Sequence, residues 1–124
     1  MLAQGKQFIG ISDEETLVYS TLLDKHIGRA KAIKVKHLAF ALGFQERELQ
    51  HLVRSLRMQG ARIASTAARP AGYYIPETVE EAEEYKQEQY SKALATLEST
   101  AAVLRVNLPD LLGQLRLQVE GTTR

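Results

Sequence analysis

Side chains able to do covalent or metal chemistry are few in this sequence. There is no cysteine, which removes thiolate nucleophiles, disulfides and cysteine-based zinc sites together. The three histidines, His26, His37 and His51, fall on different predicted elements with no i, i+4 or cysteine partner, so no metal site is expected. No phosphate loop, G-x-S-x-G or G-x-G-x-x-G run occurs. The carboxylates from Glu80 to Glu88 read as a solvated helix face rather than an acid–base pair. Neither an enzyme nor a cofactor is therefore expected. What remains is ionic and hydrogen-bonding chemistry. Arg47, Gln50, His51 and Arg54 are of the types that read base edges, since arginine can take guanine O6 and N7 together and glutamine can take adenine. Lys34, Lys36, Gln45, Arg57 and Arg69 are of types suited to phosphate.

Charge distribution supports that reading. The whole chain of 124 residues has a formal charge of only +1. Between Lys25 and Arg69, however, ten basic residues face two acidic ones, Glu46 and Glu48, for a local charge of +8. The segments before and after carry −3 and −4. Such segregation points to an anionic partner for the central segment, and nucleic-acid affinity comes chiefly from neutralising phosphates with a surface of one sign.

The elements that must position these residues follow from capping signals and periodicity. Ser12-Asp13-Glu14-Glu15 is a capping box and predicts a helix from about Asp13 to Lys25, with Leu17, Val18, Leu22, Leu23 and then Ile27 on its buried side. Val35, Leu38, Ala39 and Leu42 fall at i, i+3, i+4 and i+7 and predict a second helix over Val35 to Leu42, stopped by Gly43. A third helix, about Gln45 to Gln59, buries Leu49, Leu52, Val53 and Leu56. At about 100° per residue from Leu49, Arg47, Arg54 and His51 lie near 160°, 140° and 200°, opposite the core face, with Gln50 beside them. Ala61 to Ser65 and Gly72 to Ile75 are β-like runs around Thr66–Ala71, a hairpin with a six-residue loop. Ile63, Tyr73 and Ile75 point inward, Tyr73 and Tyr74 are of a type that stacks on a base although one of the pair is expected in the hairpin core, and Pro76 ends the second strand.

Two helices joined by so short a turn make a helix-turn-helix, and a basic-tipped hairpin after the third helix is the winged order. The run Leu38-Ala39-x2-Leu42-Gly43-x3-Arg47-x5-Val53-x2-Leu56-Arg57-x2-Gly60-x2-Ile63, closed by Gly72-Tyr73-Tyr74-Ile75-Pro76, resembles the winged-helix DNA-binding domain at the N-terminus of bacterial biotin repressors. More loosely, it resembles small winged-helix proteins of phages and prophages. The resemblance covers about residues 14–76 and implies a third helix in the major groove of double-stranded DNA and a hairpin on backbone or minor groove. Where the family places Ser or Thr before the third helix, this chain has Gln45. Biotin chemistry is not implied, because the 48 residues after Pro76 read as helix.

Thr78-Val79-Glu80-Glu81 is a second capping box, opening a helix that runs to about Val106 and would be roughly 40 Å long. Tyr90, Leu94, Leu97, Ala101 and Leu104 follow the 4, 3, 4, 3 spacing of a coiled-coil seam, which predicts a homodimer through these residues; the alternative is a helical hairpin folded back on its own domain. Asn107-Leu108-Pro109-Asp110 breaks the helix and caps a short amphipathic one, Leu108 to Val119.

The expected fold is thus mainly α with a small β-hairpin: a flexible segment 1–11, a winged helix-turn-helix over 12–76, a helical oligomerisation region over 77–119 and a frayed tail 120–124. No apolar run reaches the roughly 18 residues of a membrane span, and Met1 to Ile11 lacks the pattern of a signal peptide, so a cytoplasmic protein without a membrane partner is expected. The functional expectation is a DNA-binding regulator or replication accessory, phage-encoded on the looser resemblance. The alternative is a winged helix that docks on an acidic protein surface as an adaptor or inhibitor.

Overall fold

A computed structural model describes residues 12–122; the expected flexible segment 1–11 and the last two residues lie outside the described range. The protein is mainly helical with one small antiparallel hairpin. Its elements are α1 (Asp13–Lys25), a 3-10 turn at Arg29–Lys31, α2 (Val35–Leu42), α3 (Glu46–Met58), β1 (Ala64–Thr66), β2 (Gly72–Tyr74), α4 (Val79–Leu104) and α5 (Leu108–Thr122). The chain divides into two compact units, 1–85 and 86–124, at a point inside α4.

In the first unit α1 and α2 both pack on α3. α1 starts at a complete capping box: the Ser12 hydroxyl accepts from the Glu15 amide at 3.0 Å, and the Glu15 carboxylate accepts from the Ser12 amide at 2.9 Å. Its buried stripe is Glu15, Val18, Tyr19 and Leu22, again at i, i+3, i+4 and i+7. This corrects the expected face, because Leu17 and Ile27 are exposed while Tyr19 is buried. The stripe is rotated by about one residue and includes Glu15, whose carboxylate accepts from Nε2 of Gln59, the residue that caps the end of α3, at 3.3 Å.

α2 and α3 are joined by Gly43 and Phe44, whose geometry ends α2 abruptly. Gly43 has φ 81° and ψ 25°, the left-handed region where a side chain would be strained. Its amide donates to Phe40 O and the Phe44 amide to Ala39 O at 2.9 Å, the paired bonds of a Schellman motif. The same pair closes α3, from Gly60 to Arg57 O and from Ala61 to Leu56 O. Leu38, Leu49, Val53 and Leu56 meet Val18 and Leu22 in the core, joined by Ile63, Tyr73 and Ile75 from the hairpin. Leu52 is only partly buried. Each fully buried Leu or Val contributes about 1.5–3 kcal/mol relative to exposure.

The hairpin pairs Ala64 with Tyr74, Ser65 with Tyr73 and Thr66 with Gly72. Pairing begins later than the expected Ala61 because Ala61 is still closing α3, and Thr66 joins the ladder rather than the loop, which leaves five loop residues, 67–71. A further rung extends this ladder. Ile33, before α2, exchanges both backbone hydrogen bonds with Tyr73, at 2.9 and 2.8 Å, on the side of β2 away from β1. Farther along, Gly28 N donates to Ile75 O and Ile75 N to His26 O. The segment between α1 and α2 is therefore stitched to β2. Gly72 is where this approach is closest: a Cβ there would lie 1.9 Å from Ile33 O.

In the second unit, α4 ends at Leu104 and is followed by Arg105 with φ 57°, with Val106 N bonded to Ala101 O. The Asn107 side chain accepts from the Asp110 amide at 2.8 Å and caps α5. α5 runs to Thr122, past the expected Val119 and into the stretch expected to fray. Ala101 and Leu111 are the buried apolar residues here, whereas Tyr90, Leu94, Val103, Leu104, Leu117 and Val119 are exposed.

Candidate nucleic-acid interface

With its apolar stripe on the core, α3 presents its other side to solvent. Arg47, Gln50, His51 and Arg54 are all exposed, as the periodicity predicts, and Met58 continues the same row at 81% exposure. Gln45 occupies the cap position, where its amide donates to the Glu48 carboxylate at 3.4 Å. That amide is thus engaged within the helix end. Lys34 caps α2 with an extended backbone and no side-chain cap bond, and Lys36 and Arg69 are exposed.

Two adjoining hollows of the first unit connect these residues. One is lined by His26, Lys34, His37, Arg69 and Pro70, so the hairpin loop comes next to the start of α2. The other is lined by Lys36, His37, Phe40, Phe44, Gln45, Glu46 and Arg47, so one carboxylate stands among its cations. His37 belongs to both. A basic track therefore runs from Arg69 through Lys34, His37 and Lys36 to Arg47 at the head of α3. Among the described residues, Lys34, Lys36, Arg47, Arg54 and Arg69 make no ion pair or side-chain hydrogen bond. His37 is a surface histidine of the basic segment, as the sequence suggests, whereas Phe40 was not singled out, although the α2 period already put both opposite Leu38, Ala39 and Leu42. Phe40 is 89% exposed, the most solvent-accessible large apolar side chain among the described residues of the first unit.

Two arginines of the basic segment serve the fold. Arg57, expected on phosphate, turns back: its Nε donates to Ile63 O at 2.8 Å, Nη2 to Ser65 Oγ at 3.4 Å. Its guanidinium lies 5.7 Å from the Tyr73 ring centroid and 5.9 Å from that of Tyr85. Arg29 donates from Nη1 to Glu84 at 2.8 Å, from Nη2 to Thr66 at 3.0 Å and from its backbone amide to Glu81. The Glu77 amide, then those of Arg29 and Thr78 and the Arg29 charge, hold the Glu81 carboxyl below its ordinary range. The tyrosine pair is also corrected. Tyr73 and Tyr74 are both buried, because β2 is the middle strand once Ile33 is counted, so neither ring can stack on a base. Burial pushes the Tyr73 hydroxyl above its ordinary pKa, against the opposing pull of Arg57.

Of the expected dimerisation stripe, Tyr90, Leu94 and Leu104 are exposed and Leu97 is half-buried. Ala101 is 4% exposed. Among the described residues, no group of three His, Asp or Glu side chains could hold a metal ion, and no helix is long and apolar enough to cross a membrane. No family model matches the chain, and neither a curated protein nor a solved structure matches it.

Proposed function

We propose that the chain is a double-stranded DNA-binding protein of the winged helix-turn-helix type, a regulator or replication accessory, with α3 as the recognition helix in the major groove. Arg47, Gln50, His51 and Arg54 read base edges; Lys34, Lys36 and Arg69 hold phosphates, the last from the hairpin loop. The observation that carries this is the continuous basic track from Arg69 to Arg47, whose cations have no acidic partner among the described residues. Salt bridges within a surface neutralise it, whereas a polyanion needs the charges free. Phosphate contact by Gln45 reduces to its side chain, since Glu48 takes its amide. Arg57 is left out of the interface because its guanidinium is held between α3 and the hairpin.

Leu94, Leu104 and Tyr90 on α4 support a homodimer, which would set two recognition helices on half-sites about 34 Å apart or a multiple of that. Anisotropy of a labelled random duplex tests the DNA reading: log affinity should fall steeply and linearly with log salt concentration, in proportion to the phosphates neutralised. Absence of binding at about 50 mM salt, where non-specific electrostatic binding is strong, would remove it. One observation favours a second reading. Phe40, exposed beside the basic track, suits an aromatic anchor in a protein interface, so the track would then dock on an acidic protein surface.

A further inference from the structure

A separate concavity lies on the first unit between the end of α3, the entry to β1 and the first turns of α4. It encloses about 330 Å³, at the lower end of the roughly 300–1,000 Å³ of small-molecule sites. The hollow exists because small side chains surround it: Ala64 from β1 and Ala82 from α4, with Ile63 and Pro76 completing an apolar wall. Its polar groups are of one sign. Arg57 and Arg62 both line it, together with the Tyr85 ring, and none of its lining residues is acidic.

The two arginines differ in a way that suits recognition. Arg57 is fixed in advance by its bonds to Ile63 O and Ser65 Oγ and by its place against Tyr73 and Tyr85, so little ordering is needed when an anion arrives. Arg62 is exposed and makes no ion pair or side-chain hydrogen bond among the described residues. A guanidinium fork matches a carboxylate in geometry as well as charge. We propose that this hollow binds a small aromatic monocarboxylate, its ring against the accessible faces of Pro76, Ala82 and Tyr85, over the buried floor of Ile63 and Ala64, and its carboxylate on Arg62 and Arg57.

The site shares no residue with the basic track, and its test does not depend on DNA binding. The full chain is titrated with benzoate, followed by amide resonances, with benzamide as the uncharged isostere. Saturable shifts centred on Ala64, Ala82 and Tyr85 are expected at concentrations up to about 10 mM, the range open to a fragment of this size. Benzamide should bind about tenfold more weakly or worse, and Arg62→Gln should weaken benzoate by about the same factor, as loss of a charged hydrogen bond requires. Arg62 is on the surface, so that variant keeps the fold; Ala82→Phe fills the hollow and should abolish the shifts. Non-saturating shifts, shifts centred on Lys34 and Arg69, equal affinity for benzamide, or unchanged affinity in Arg62→Gln would each overturn the proposal.

Discussion

Arg54 and Arg57 stand three residues apart on one helix, yet their surroundings assign them opposite tasks. Arg54 lies on the outward row and is exposed; Arg57, a turn later and rotated toward the hairpin, ties α3 to Ile63 and Ser65. Arg54→Ala should therefore weaken binding to a selected cognate duplex by about 1–3 kcal/mol with little effect on random DNA, while Lys34→Ala lowers both alike. Parallel titrations of cognate and random duplex decide this, and equal losses for both variants would show that α3 does not read bases. Glu15 is the acidic counterpart of Arg57. It is only 7% exposed, and hydrogen bonds from Ser55, Ser12 and Gln59 outweigh its burial and hold its carboxyl below the ordinary 4.5. A lowered folded pKa adds stability above the unfolded value and loses it as pH falls through the folded one. Glu15→Gln should thus be less stable than the parent at pH 7 in urea unfolding, with the gap closing below about pH 4.5; a gap that stays constant would mean the charge plays no part.

The hairpin shows at the level of elements how a single atom's space can govern a fold. Gly72 has φ 125°, and the Ile33 carbonyl occupies the place of its missing side chain. Gly72→Ala must push Ile33 off Tyr73, breaking two backbone hydrogen bonds, and should cost at least about 2 kcal/mol in thermal or urea unfolding. Retention of full stability would show that the Ile33 rung is dispensable. Much of the element pattern was legible in sequence, for definite reasons. α1 begins at Ser12 because its capping box is local, and α2 ends at Gly43 because a left-handed cap is local too. The outward row Arg47, His51, Arg54 followed from period alone. The Ile33 rung was not legible, since one residue in extended conformation has no period, and its partner is forty residues away. Likewise Tyr19 lies in the core where Leu17 was expected, and Glu15 beside it bonds Ser55 of α3 and Gln59 at the end of that helix, contacts that no hydropathy pattern contains. The use of Arg57 inside the fold was hidden for the same reason: charge type specifies a possible partner, and only the fold selects between phosphate and carbonyl.

For the molecule as a whole, most of the described cations without acidic partners lie on the first unit, and most of the exposed leucines on the second. Exposed Leu94 and Leu104 cost solubility unless something covers them. If a second copy does, sedimentation equilibrium should show a concentration-dependent dimer, and a Leu94→Glu, Leu104→Glu double variant should be monomeric over the same micromolar range. A wild-type chain that stays monomeric there would remove the dimer. Of the described acids of the first unit, Glu81 and Glu84 engage Arg29, while Glu46 lines the hollow of Lys36 and Arg47 without an ion pair to either.

Arg29 and Arg57 have one more consequence, and it concerns other molecules. A strand at the rim of a sheet is a template on which a foreign strand can grow into an aggregate. β1 is three residues long, with Arg57 bonded to the Ile63 carbonyl before it and to Ser65 within it, and Arg29 bonded to Thr66 at its far end. Short and bounded by a cation at either end, it is a poor seed for such growth, so the side chains that fasten the hairpin also guard the protein against its own copies.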